Sequence, residues 1–315
     1  MEQNFSSMGI AMAALVGGLV LLVCGGELLV AGASRLARRW GMSAMLVGLT
    51  VVAFGTSMPE MFVSLAATLS QHPDIMIGNV LGSNIANVGL VLAFSALLLP
   101  LPVLYAMVAT ELHLLLAATV AVVLISWSGD FSRLFGLTFV LVLIGYTVFA
   151  YGKAARNNRE NGVSGDGSGS LVKMVGLVAL GLLLLAAGSR FFIDGAVDAA
   201  LYFQVSELVI GLTLAAVGTS LPELASSIAA IRQRETDILV GNVVGSNLFN
   251  LLMVMGATAM VTPFALPASL LARDLPVMFA FSAVLWPLCY FGRGVGRLAG
   301  LALLAAYGGY LWLLL

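Results

Sequence analysis

Charged residues are scarce in this chain. Asp, Glu, Lys and Arg make up 9% of its 315 residues, whereas 61% are hydrophobic. A soluble domain carries roughly 25% charged residues, so the composition excludes an ordinary soluble protein and indicates a polytopic membrane protein. The net charge is −1 and there is no basic run. Nothing in the charge distribution therefore suggests a nucleic-acid partner.

Cysteine is nearly absent as well. Cys24 and Cys289 are the only two, and both lie in apolar runs. We interpret them as small hydrophobic residues, because a disulfide framework needs paired cysteines outside the core. The first ten residues, MEQNFSSMGI, lack the positive stretch that opens a cleaved signal peptide. The first apolar run is therefore expected to remain as a membrane helix.

Long apolar runs are abundant, and a run of about 20 residues spans the roughly 30 Å of bilayer hydrocarbon. Ten such runs occur, at 10–34, 43–69, 75–99, 108–127, 132–151, 171–200, 206–231, 237–262, 272–291 and 296–315. The Gly, Ser and Asn content of the break at 152–170 is typical of a flexible linker. The sequence predicts an all-α membrane protein of ten transmembrane helices, with a first half at 1–152, a linker at 153–170 and a second half at 171–315.

The distribution of basic residues predicts the orientation. Placing the N-terminus outside puts eleven of the fourteen Lys and Arg residues in the cytoplasm and leaves only Arg133, Arg190 and Arg273 outside. Both termini are then outside and the linker is cytoplasmic. Because each half has an odd number of helices, the second half enters the membrane from the opposite side. Inverted repeats of this kind are typical of secondary transporters, whose substrate sites lie between the repeats near the midplane.

Two polar blocks occur twice in the chain. GLTVVAFGTSMPE at 48–60 matches GLTLAAVGTSLPE at 211–223 in nine of thirteen positions. DIMIGNVLGSNIAN at 74–87 matches DILVGNVVGSNLFN at 237–250 in nine of fourteen. Both pairs are 163 residues apart. Polar, helix-breaking segments that are duplicated in an apolar chain suggest a single ion-binding site.

The first block places oxygen atoms on one helical face. Ala53, Thr56 and Ser57 lie seven, four and three residues before Glu60, and Pro59 removes a backbone donor and predicts a kink. The kink should leave the carbonyls near Ala53 and Thr56 partly free. Carbonyls, hydroxyls and a carboxylate are hard ligands suited to Na⁺ and Ca²⁺. The second copy supplies the same set in Ala216, Thr219, Ser220 and Glu223.

The second block adds amides and hydroxyls at a spacing of four residues, which again predicts a single helical face. These residues are Asn79, Ser83, Asn87, Asn242, Ser246 and Asn250. Glycines in the same block should allow helices to approach closely, as small-xxx-small patterns do in membranes. These are Gly78, Gly82, Gly241 and Gly245.

The two glutamates are the strongest functional candidates. A carboxylate in mid-membrane costs roughly 2.5–3.5 kcal/mol on insertion scales and is by default a functional group. Glu60 and Glu223 present it twice in matching contexts. Thr50 and Thr213, in the same blocks, are instead expected to bond back to helix carbonyls.

Four other charged residues are less informative. Glu111 and Asp274 also align at the offset of 163, and we expect each to stabilise a helix N-terminus from the first turn. Glu27 and Arg190 occupy corresponding positions with opposite charges, and no role is assigned to them.

The paired GTSxPE and GNVxGSN blocks resemble the two α-repeats of the cation/Ca²⁺ exchanger superfamily, specifically its sodium/calcium exchanger branch and bacterial members. The resemblance covers essentially the whole chain. It implies that helices 2, 3, 7 and 8 form the site, and that helices 1 and 6 slide across them to alternate access.

The resemblance also implies roles for individual residues. Ca²⁺ would be held by Glu60 and Glu223 with oxygens of Thr56 and Thr219. One flanking Na⁺ site would use Ser57, Ser83 and the Ala53 carbonyl. The other would use Ser220, Ser246 and the Ala216 carbonyl. Asn87 and Asn250 would line the centre.

Asn250 bears on K⁺ dependence, because K⁺-dependent relatives carry Asp there. An asparagine removes one negative charge, so K⁺-independent exchange is expected. Two carboxylates are neutralised by one Ca²⁺ or two Na⁺, and a third Na⁺ leaves a net charge; the resemblance favours three Na⁺ per Ca²⁺. The transported ions are then the substrates, no cofactor is expected, and no protein partner is evident. With Na⁺ high outside, the expected direction is Ca²⁺ extrusion.

Three other functions remain open. A Ca²⁺/H⁺ antiporter of the same superfamily would load protons on the glutamates, although protons need no flanking serines. A passive cation channel is a different class, and accumulation against a gradient would exclude it. A membrane enzyme is disfavoured because the sequence has no paired His/Asp metal motif and no convincing Ser/Lys or Ser/His pair.

Overall fold

Helices account for most of the residues described by the computed structural model, which are 8–160, 169–203, 218–292 and 294–314. The first half contains α1 (Met8–Trp40), α2 (Ala44–Val47), π1 (Gly48–Val52), α3 (Ala53–Thr56), α4 (Met58–Leu69), α5 (Pro73–Ala86), π2 (Asn87–Leu92), α6 (Ala93–Leu98), α7 (Tyr105–Ser128) and α8 (Arg133–Glu160). The second half contains α9 (Leu171–Tyr202), α10 (Leu221–Arg232), α11 (Thr236–Leu248), π3 (Phe249–Val254), α12 (Met255–Val261), α13 (Ala268–Ala272), α14 (Asp274–Tyr290) and α15 (Arg297–Leu314). The segments π1, π2 and π3 are π-helical turns that continue the helices on either side.

Eight helices in the described ranges are long and apolar enough to cross a membrane. The stretch from α2 to α4 makes a ninth if its two parts, which bend by 43°, count as one span. The predicted helix at 206–231 begins outside the described residues, and α10 is its described part. The prediction of a helical membrane protein is confirmed, whereas the count of ten remains a prediction.

Helix α8 extends further than the sequence suggested. It continues to Glu160, so residues 153–160, assigned above to the linker, are helical. Ala, Arg and Glu in this segment favour a helix. Arg156 and Glu160 also form an ion pair of 2.8 Å at the i, i+4 spacing. The glycine- and serine-rich part of the break starts only after this point.

Helices α1 and α9 pack closely in an antiparallel pair through glycines. A Cβ atom on Gly25 would lie 2.8 Å from the Leu185 backbone nitrogen, and one on Gly188 would lie 2.8 Å from the Leu22 nitrogen. Such distances allow only glycine, as in other close membrane-helix contacts. The glycines at this contact recur every seven residues and match between the helices at the offset of 163: Gly18, Gly25 and Gly32 with Gly181, Gly188 and Gly195.

Two short strand pairs connect the halves of the chain. Strand β1 (Leu101–Pro102) pairs antiparallel with β4 (Gly294–Val295), and β2 (Asp130–Phe131) pairs with β3 (Phe264–Ala265). The loop after α6 is thereby joined to the loop before α15, and the loop after α7 to the loop after α12. The predicted topology places the members of each pair on the same side of the membrane.

The centre of the protein is formed by two continuous helices. The span Pro73–Leu98 comprises α5, π2 and α6, and 78% of the residues in its apolar stretch are buried. The span Thr236–Val261 comprises α11, π3 and α12, and its buried share is 94%. The corresponding share for Arg133–Asn158, in α8, is only 11%, as expected of a peripheral helix facing lipid. The duplicated polar blocks therefore lie in the interior.

Candidate functional site

Both copies of the first block begin a helix directly after the same serine, and in the first copy this serine also ends the preceding helix. Ser57 separates α3 from α4 with φ −87° and ψ 6°, and Ser220 precedes α10 with φ −88° and ψ 4°. Pro59 and Pro222 follow in the first turn of the new helix, where a missing N–H costs nothing. The kink predicted in the first block is therefore confirmed.

The break also places each glutamate at the N-terminus of a helix, which favours a negative charge. Glu60 lies in the first turn of α4, and Glu223 lies in the first turn of α10. The unpaired N–H groups of a helix N-terminus carry a positive partial charge that stabilises a nearby carboxylate. The C-terminus of α3 lies at the same break, and the carbonyl groups at the ends of broken helices bind cations.

The carbonyl of Ala53 is less free than the sequence suggested. It accepts a hydrogen bond from the Ser57 backbone N–H at 3.0 Å, and the Thr56 hydroxyl lies at 3.5 Å. A carbonyl oxygen has two lone pairs, so this does not prevent it from facing a cation. Ala216 and Thr213 lie outside the described residues. Thr50 donates to the Leu46 carbonyl at 2.7 Å, as predicted.

The two carboxylates are completely buried and close enough for their charges to interact. Glu223 Oε1 accepts hydrogen bonds from Ser57 Oγ at 3.2 Å and Ser246 Oγ at 3.4 Å. Glu223 Oε2 and both carboxylate oxygens of Glu60 have no hydrogen-bond partner in the described part of the chain. An uncompensated buried charge is strongly unfavourable, so these oxygens fit cations as partners.

The donor set around the carboxylates consists of neutral oxygens. In the described ranges, no three His, Cys, Asp or Glu side chains come together as a metal site. Two carboxylates surrounded by hydroxyls and amides form an oxygen site of the kind that Na⁺ and Ca²⁺ occupy, whereas Zn²⁺ prefers nitrogen and sulfur ligands.

Around Glu223, hydroxyl groups from both halves converge. Besides Ser57 and Ser246, Thr56 Oγ1 donates to Asn242 Oδ1 at 3.1 Å, and Ser246 Oγ lies 3.4 Å from the same amide oxygen. Asn242 Nδ2 donates in turn to Ser226 Oγ at 3.1 Å. Asn242 therefore fixes the orientation of hydroxyls that belong to different repeats.

The second cluster is more open. Ser83 Oγ and Thr219 Oγ1 are 3.4 Å apart, and the buried Ser220 hydroxyl has no hydrogen-bond partner among the described residues. The flanking sites that the resemblance implies, with Ser57 beside Ser83 and Ser220 beside Ser246, remain predictions. Ser57 and Ser246 both contact Glu223, and Ser83 contacts Thr219. Each cluster draws on both halves because the repeats interlock rather than lie side by side.

The central asparagines are also buried. Asn87 begins π2 and Asn250 is the second residue of π3. Asn87 Nδ2 donates to Asn247 Oδ1 at 3.0 Å, whereas neither polar atom of the Asn250 side chain has a partner. Single π-helical turns are frequent at functional sites. The sequence patterns contain no signal that predicts these turns.

Two serines that the sequence patterns did not identify accept hydrogen bonds from the asparagines of the site. Asn79 Nδ2 donates to Ser64 Oγ at 2.9 Å and to the Glu60 backbone oxygen at 3.1 Å. Ser226 plays the matching part for Asn242. Ser64 and Ser226 lie four and three residues beyond the glutamates, and extending the helical periodicity by one turn would have found them.

The expected close approach at glycines is confirmed for one helix. A Cβ on Gly241 would lie 2.9 Å from the Leu49 nitrogen, and one on Gly245 would lie 2.8 Å from the Leu49 Cα. Helix α11 therefore packs directly on π1. The positions that would face Gly78 and Gly82 in an equivalent contact lie in residues 204–217, outside the described ranges.

Two cavities of similar size lie among the helices that carry the duplicated blocks. One of about 630 Å³ is lined by Ser83 and Thr219 and extends to Leu314, near the end predicted to be outside. The other, of about 620 Å³, ends at Phe54 and Phe249, whose rings pack edge to face 5.2 Å apart. Only the first cavity includes predicted site hydroxyls in its lining.

The assignment of Glu111 to a helix N-terminus is wrong. Helix α7 begins at Tyr105, so Glu111 lies beyond its first turn, where it accepts a hydrogen bond of 2.6 Å from Tyr146 Oη. Asp274 does lie in the first turn of α14, as predicted, and it accepts a hydrogen bond of 2.7 Å from Tyr310 Oη.

Removing the amide that orients the Glu223 cluster should weaken cation binding. In Asn242→Ala, Thr56 and Ser246 lose a common acceptor, and we expect the apparent Ca²⁺ affinity to fall about tenfold, the low end for an outer-shell partner. The apparent affinity is measured as the KM of ⁴⁵Ca²⁺ uptake. Asn158→Ala is the matched control, since the bond that Asn158 makes in the described part of the chain is to the Gly41 carbonyl, away from the site. An unchanged KM in Asn242→Ala would contradict this role.

The long apolar helices and the buried, oxygen-rich centre define a multi-pass helical membrane protein of the kind that transports cations. Comparison with known proteins gives the family. The sodium/calcium exchanger protein family matches residues 10–152 and again 173–315. The chain therefore belongs to the sodium/calcium exchanger protein family, and so to the cation/Ca²⁺ exchanger antiporters.

Similar proteins cover nearly the whole chain. The inner membrane protein YrbG of Escherichia coli is 38% identical over 92% of this chain and 94% of its own length. The sodium/calcium exchanger MaX1 of Methanosarcina acetivorans is 32% identical over 93% and 95%, respectively. A solved structure of the sodium-calcium exchanger NCX_Mj aligns with a TM-score of 0.85 and 30% identity, covering 98% of this chain and 100% of the other.

Proposed function

We propose that this protein is a Na⁺/Ca²⁺ antiporter that works by alternating access, extrudes Ca²⁺ in exchange for entering Na⁺ and does not require K⁺. The observation that carries the proposal is the convergence of Glu60 and Glu223, both fully buried and with three of their four carboxylate oxygens unpartnered. Two negative charges held among neutral oxygens match one Ca²⁺ or two Na⁺. Competition of the two ions for the same carboxylates couples their fluxes.

We also propose the ligands of each ion, supported by the contacts of Ser57 and Ser246 with Glu223; Ala216 lies outside the described residues. Ca²⁺ is bound between Glu60 and Glu223, with oxygens of Thr56 and Thr219. One Na⁺ site is formed by Ser57, Ser246 and the Ala53 carbonyl at Glu223. A second is formed by Ser83, Ser220 and the Ala216 carbonyl. Asn87 and Asn250 line the centre between them.

The proposed architecture is ten helices in two inverted halves, 1–152 and 171–315, joined by a cytoplasmic linker at 153–170 and with both termini outside. The antiparallel contact of α1 with α9 supports it, because equivalent helices of inverted repeats run in opposite directions. The matching helix breaks at Ser57 and Ser220 and the two separate family matches support it as well. The similarity to YrbG, named an inner membrane protein, supports placement in the cell membrane.

K⁺ independence rests on Asn250. A carboxylate at this position would add a third negative charge to the centre, whereas the amide leaves the charge of the site at −2. The amide is buried and has no hydrogen-bond partner among the described residues, which leaves its polar atoms available to an ion.

The test is Ca²⁺ uptake by proteoliposomes. An outward Na⁺ gradient is expected to drive ⁴⁵Ca²⁺ accumulation against its own gradient, with no stimulation when K⁺ is added. A pH gradient without Na⁺ is the comparison, because a Ca²⁺/H⁺ antiporter would respond to it. Uptake driven only by pH, or equilibration without accumulation, would contradict Na⁺ coupling. Stimulation by K⁺ would contradict the role of Asn250.

A further inference from the structure

Helix α1 is bound to the corner between α10 and α11 by polar contacts that the ion site does not use. We call this set the α1 latch. It consists of Glu27, Ser34 and Arg38 on α1, and of Arg232, Gln233 and Glu235 on the corner.

One end of the latch is centred on Glu27. Its Oε1 lies 3.0 Å from Arg232 Nη1 in an ion pair. Gln233 Nε2 donates to Glu27 Oε2 at 2.8 Å and to the Glu27 backbone oxygen at 2.9 Å. A single residue of α1 therefore holds two consecutive residues of the corner.

The other end is centred on Glu235. Arg38 Nη1 lies 3.2 Å from Glu235 Oε1 and donates to Ser34 Oγ at 2.7 Å, and the Ser34 hydroxyl donates to the same carboxylate. Glu27, Ser34 and Arg38 are spaced by seven and four residues, so they share one face of α1. Along this face the latch fixes more than two helical turns of α1 against the corner.

The latch closes one end of a space that extends towards the ion site. A cavity of about 220 Å³ lies between α1, α9 and α10. Glu27 and Arg232 line one end, and Leu221, next to the helix break at Ser220, lines the other. A movement of α1 away from α10 would open this space and would break the latch.

The positions equivalent to the latch residues carry different side chains in the second half. At the offset of 163 the corresponding positions are Arg190, Val197 and Leu201 on α9 and Leu69, Ser70 and His72 on the corner after α4. The Arg190 side chain is 85% exposed and pairs with Asp194 of its own helix at 3.7 Å. Leu69 is 69% exposed. At these described positions the two halves of an otherwise duplicated protein therefore differ.

We propose that the α1 latch is a one-sided gate: it holds the cytoplasmic side closed, and it opens and re-forms once in each exchange cycle. The proposal rests on the proposed function and on the predicted orientation. It also gives a role to Glu27, for which the sequence offered none. Because the equivalent described positions of the other half do not form such a set of contacts, the ion-free protein should favour the state closed to the cytoplasm.

The first test measures access to the cavity from each side. Ile228, which lines it, is replaced by cysteine after Cys24→Ala and Cys289→Ala, and labelling by a membrane-impermeant thiol reagent is followed in inside-out and right-side-out vesicles. Breaking one exposed ion pair shifts an equilibrium roughly two- to fivefold. Arg232→Gln and Glu27→Gln are each expected to raise cytoplasmic labelling by about this factor. The double exchange Glu27→Arg with Arg232→Glu should restore it.

Arg190→Gln is the matched control, because it removes the ion pair at the equivalent position of the other half. It should leave cytoplasmic labelling unchanged. Labelling that is the same in wild type and both latch variants, or that rises only from the outer side, would overturn the proposal. Labelling does not require transport. A wild type that fails to exchange Na⁺ for Ca²⁺ would therefore contradict the proposed function without affecting this result.

A second test locks the latch. Ser34→Cys with Glu235→Cys, in the background without native cysteines, is bridged by a short bifunctional methanethiosulfonate. Exchange is expected to stop and to return when a reductant cleaves the bridge, with ⁴⁵Ca²⁺ binding from the outer side retained throughout. Bridged protein that exchanges at the unbridged rate would overturn the gate. The unbridged double variant controls for any loss of folding.

Discussion

Replacing either buried glutamate with glutamine is expected to abolish Na⁺-driven Ca²⁺ uptake. Glu60→Gln and Glu223→Gln each reduce the site charge from −2 to −1, which one Ca²⁺ then over-neutralises in a buried environment. Loss of a direct ligand should exceed the 10–100-fold typical of outer-shell changes, so we expect a fall of roughly 100-fold or more. Initial rates of ⁴⁵Ca²⁺ uptake into proteoliposomes measure it.

The same variants should separate loss of binding from loss of folding. Without ions, the wild type carries two interacting carboxylates with unpartnered oxygens, so removing one charge should leave the empty protein at least as stable. Ca²⁺ should raise the melting temperature of the wild type, because it binds the folded state. It should not raise that of the variants. Glu111→Gln, which retains an acceptor for Tyr146, is the matched control and should transport normally. Normal uptake in either site variant would contradict the proposed site.

A side chain added at the contact between α1 and α9 is expected to cause the second-largest loss. In Gly25→Val, the new Cβ would lie 2.8 Å from the Leu185 backbone nitrogen and 2.9 Å from the Gly181 oxygen. Both are backbone atoms that cannot rotate away. Overpacking of this kind costs about 1–3 kcal/mol, which corresponds to a fall in melting temperature of roughly 2–5 °C for a chain of this length. Thermal unfolding in detergent measures the loss, and uptake should fall with it.

The chain contains a close control for this experiment. Gly17 lies on the same helix, and a Cβ there would meet nothing within 4 Å in the described part of the protein. Gly17→Val changes helix propensity in the same way as Gly25→Val but adds no clash. Equal melting temperatures for the two variants would show that the α1–α9 contact tolerates a wider spacing than the backbone distances indicate.

The sequence predicted those parts of the site that depend on spacing within one helix. Glu60, Thr56 and Ser57 share a face because of helical periodicity, and Pro59 predicted the break in the helix. The matching offset in the second half identified Glu223 by the same reasoning. Burial was also predictable, because a polar block inside a long apolar run can be accommodated only in the interior.

What the sequence did not predict depends on how helices meet. The contacts of Ser57 with Glu223 and of Ser83 with Thr219 join the two halves, and no sequence pattern indicated them. Spacing along a chain contains no information about which helix crosses which. Glu111 was misassigned for a local reason: α7 begins several residues earlier than the apolar run suggested. The sequence did not predict the latch, because Glu27 and Glu235 are each far from their partners in the chain and belong to no repeated motif.

The strand pairs described above limit how such a protein can move. β1–β4 joins the two halves at one face, and β2–β3 joins them at the opposite face. Halves fastened to each other at both ends cannot swing apart like a hinge. Neither strand pair involves α1 or α9. The glycine contact between these two helices brings backbone against backbone, with few side chains between them. This connectivity permits α1 and α9 to slide together along the other helices, which the strand pairs hold in place.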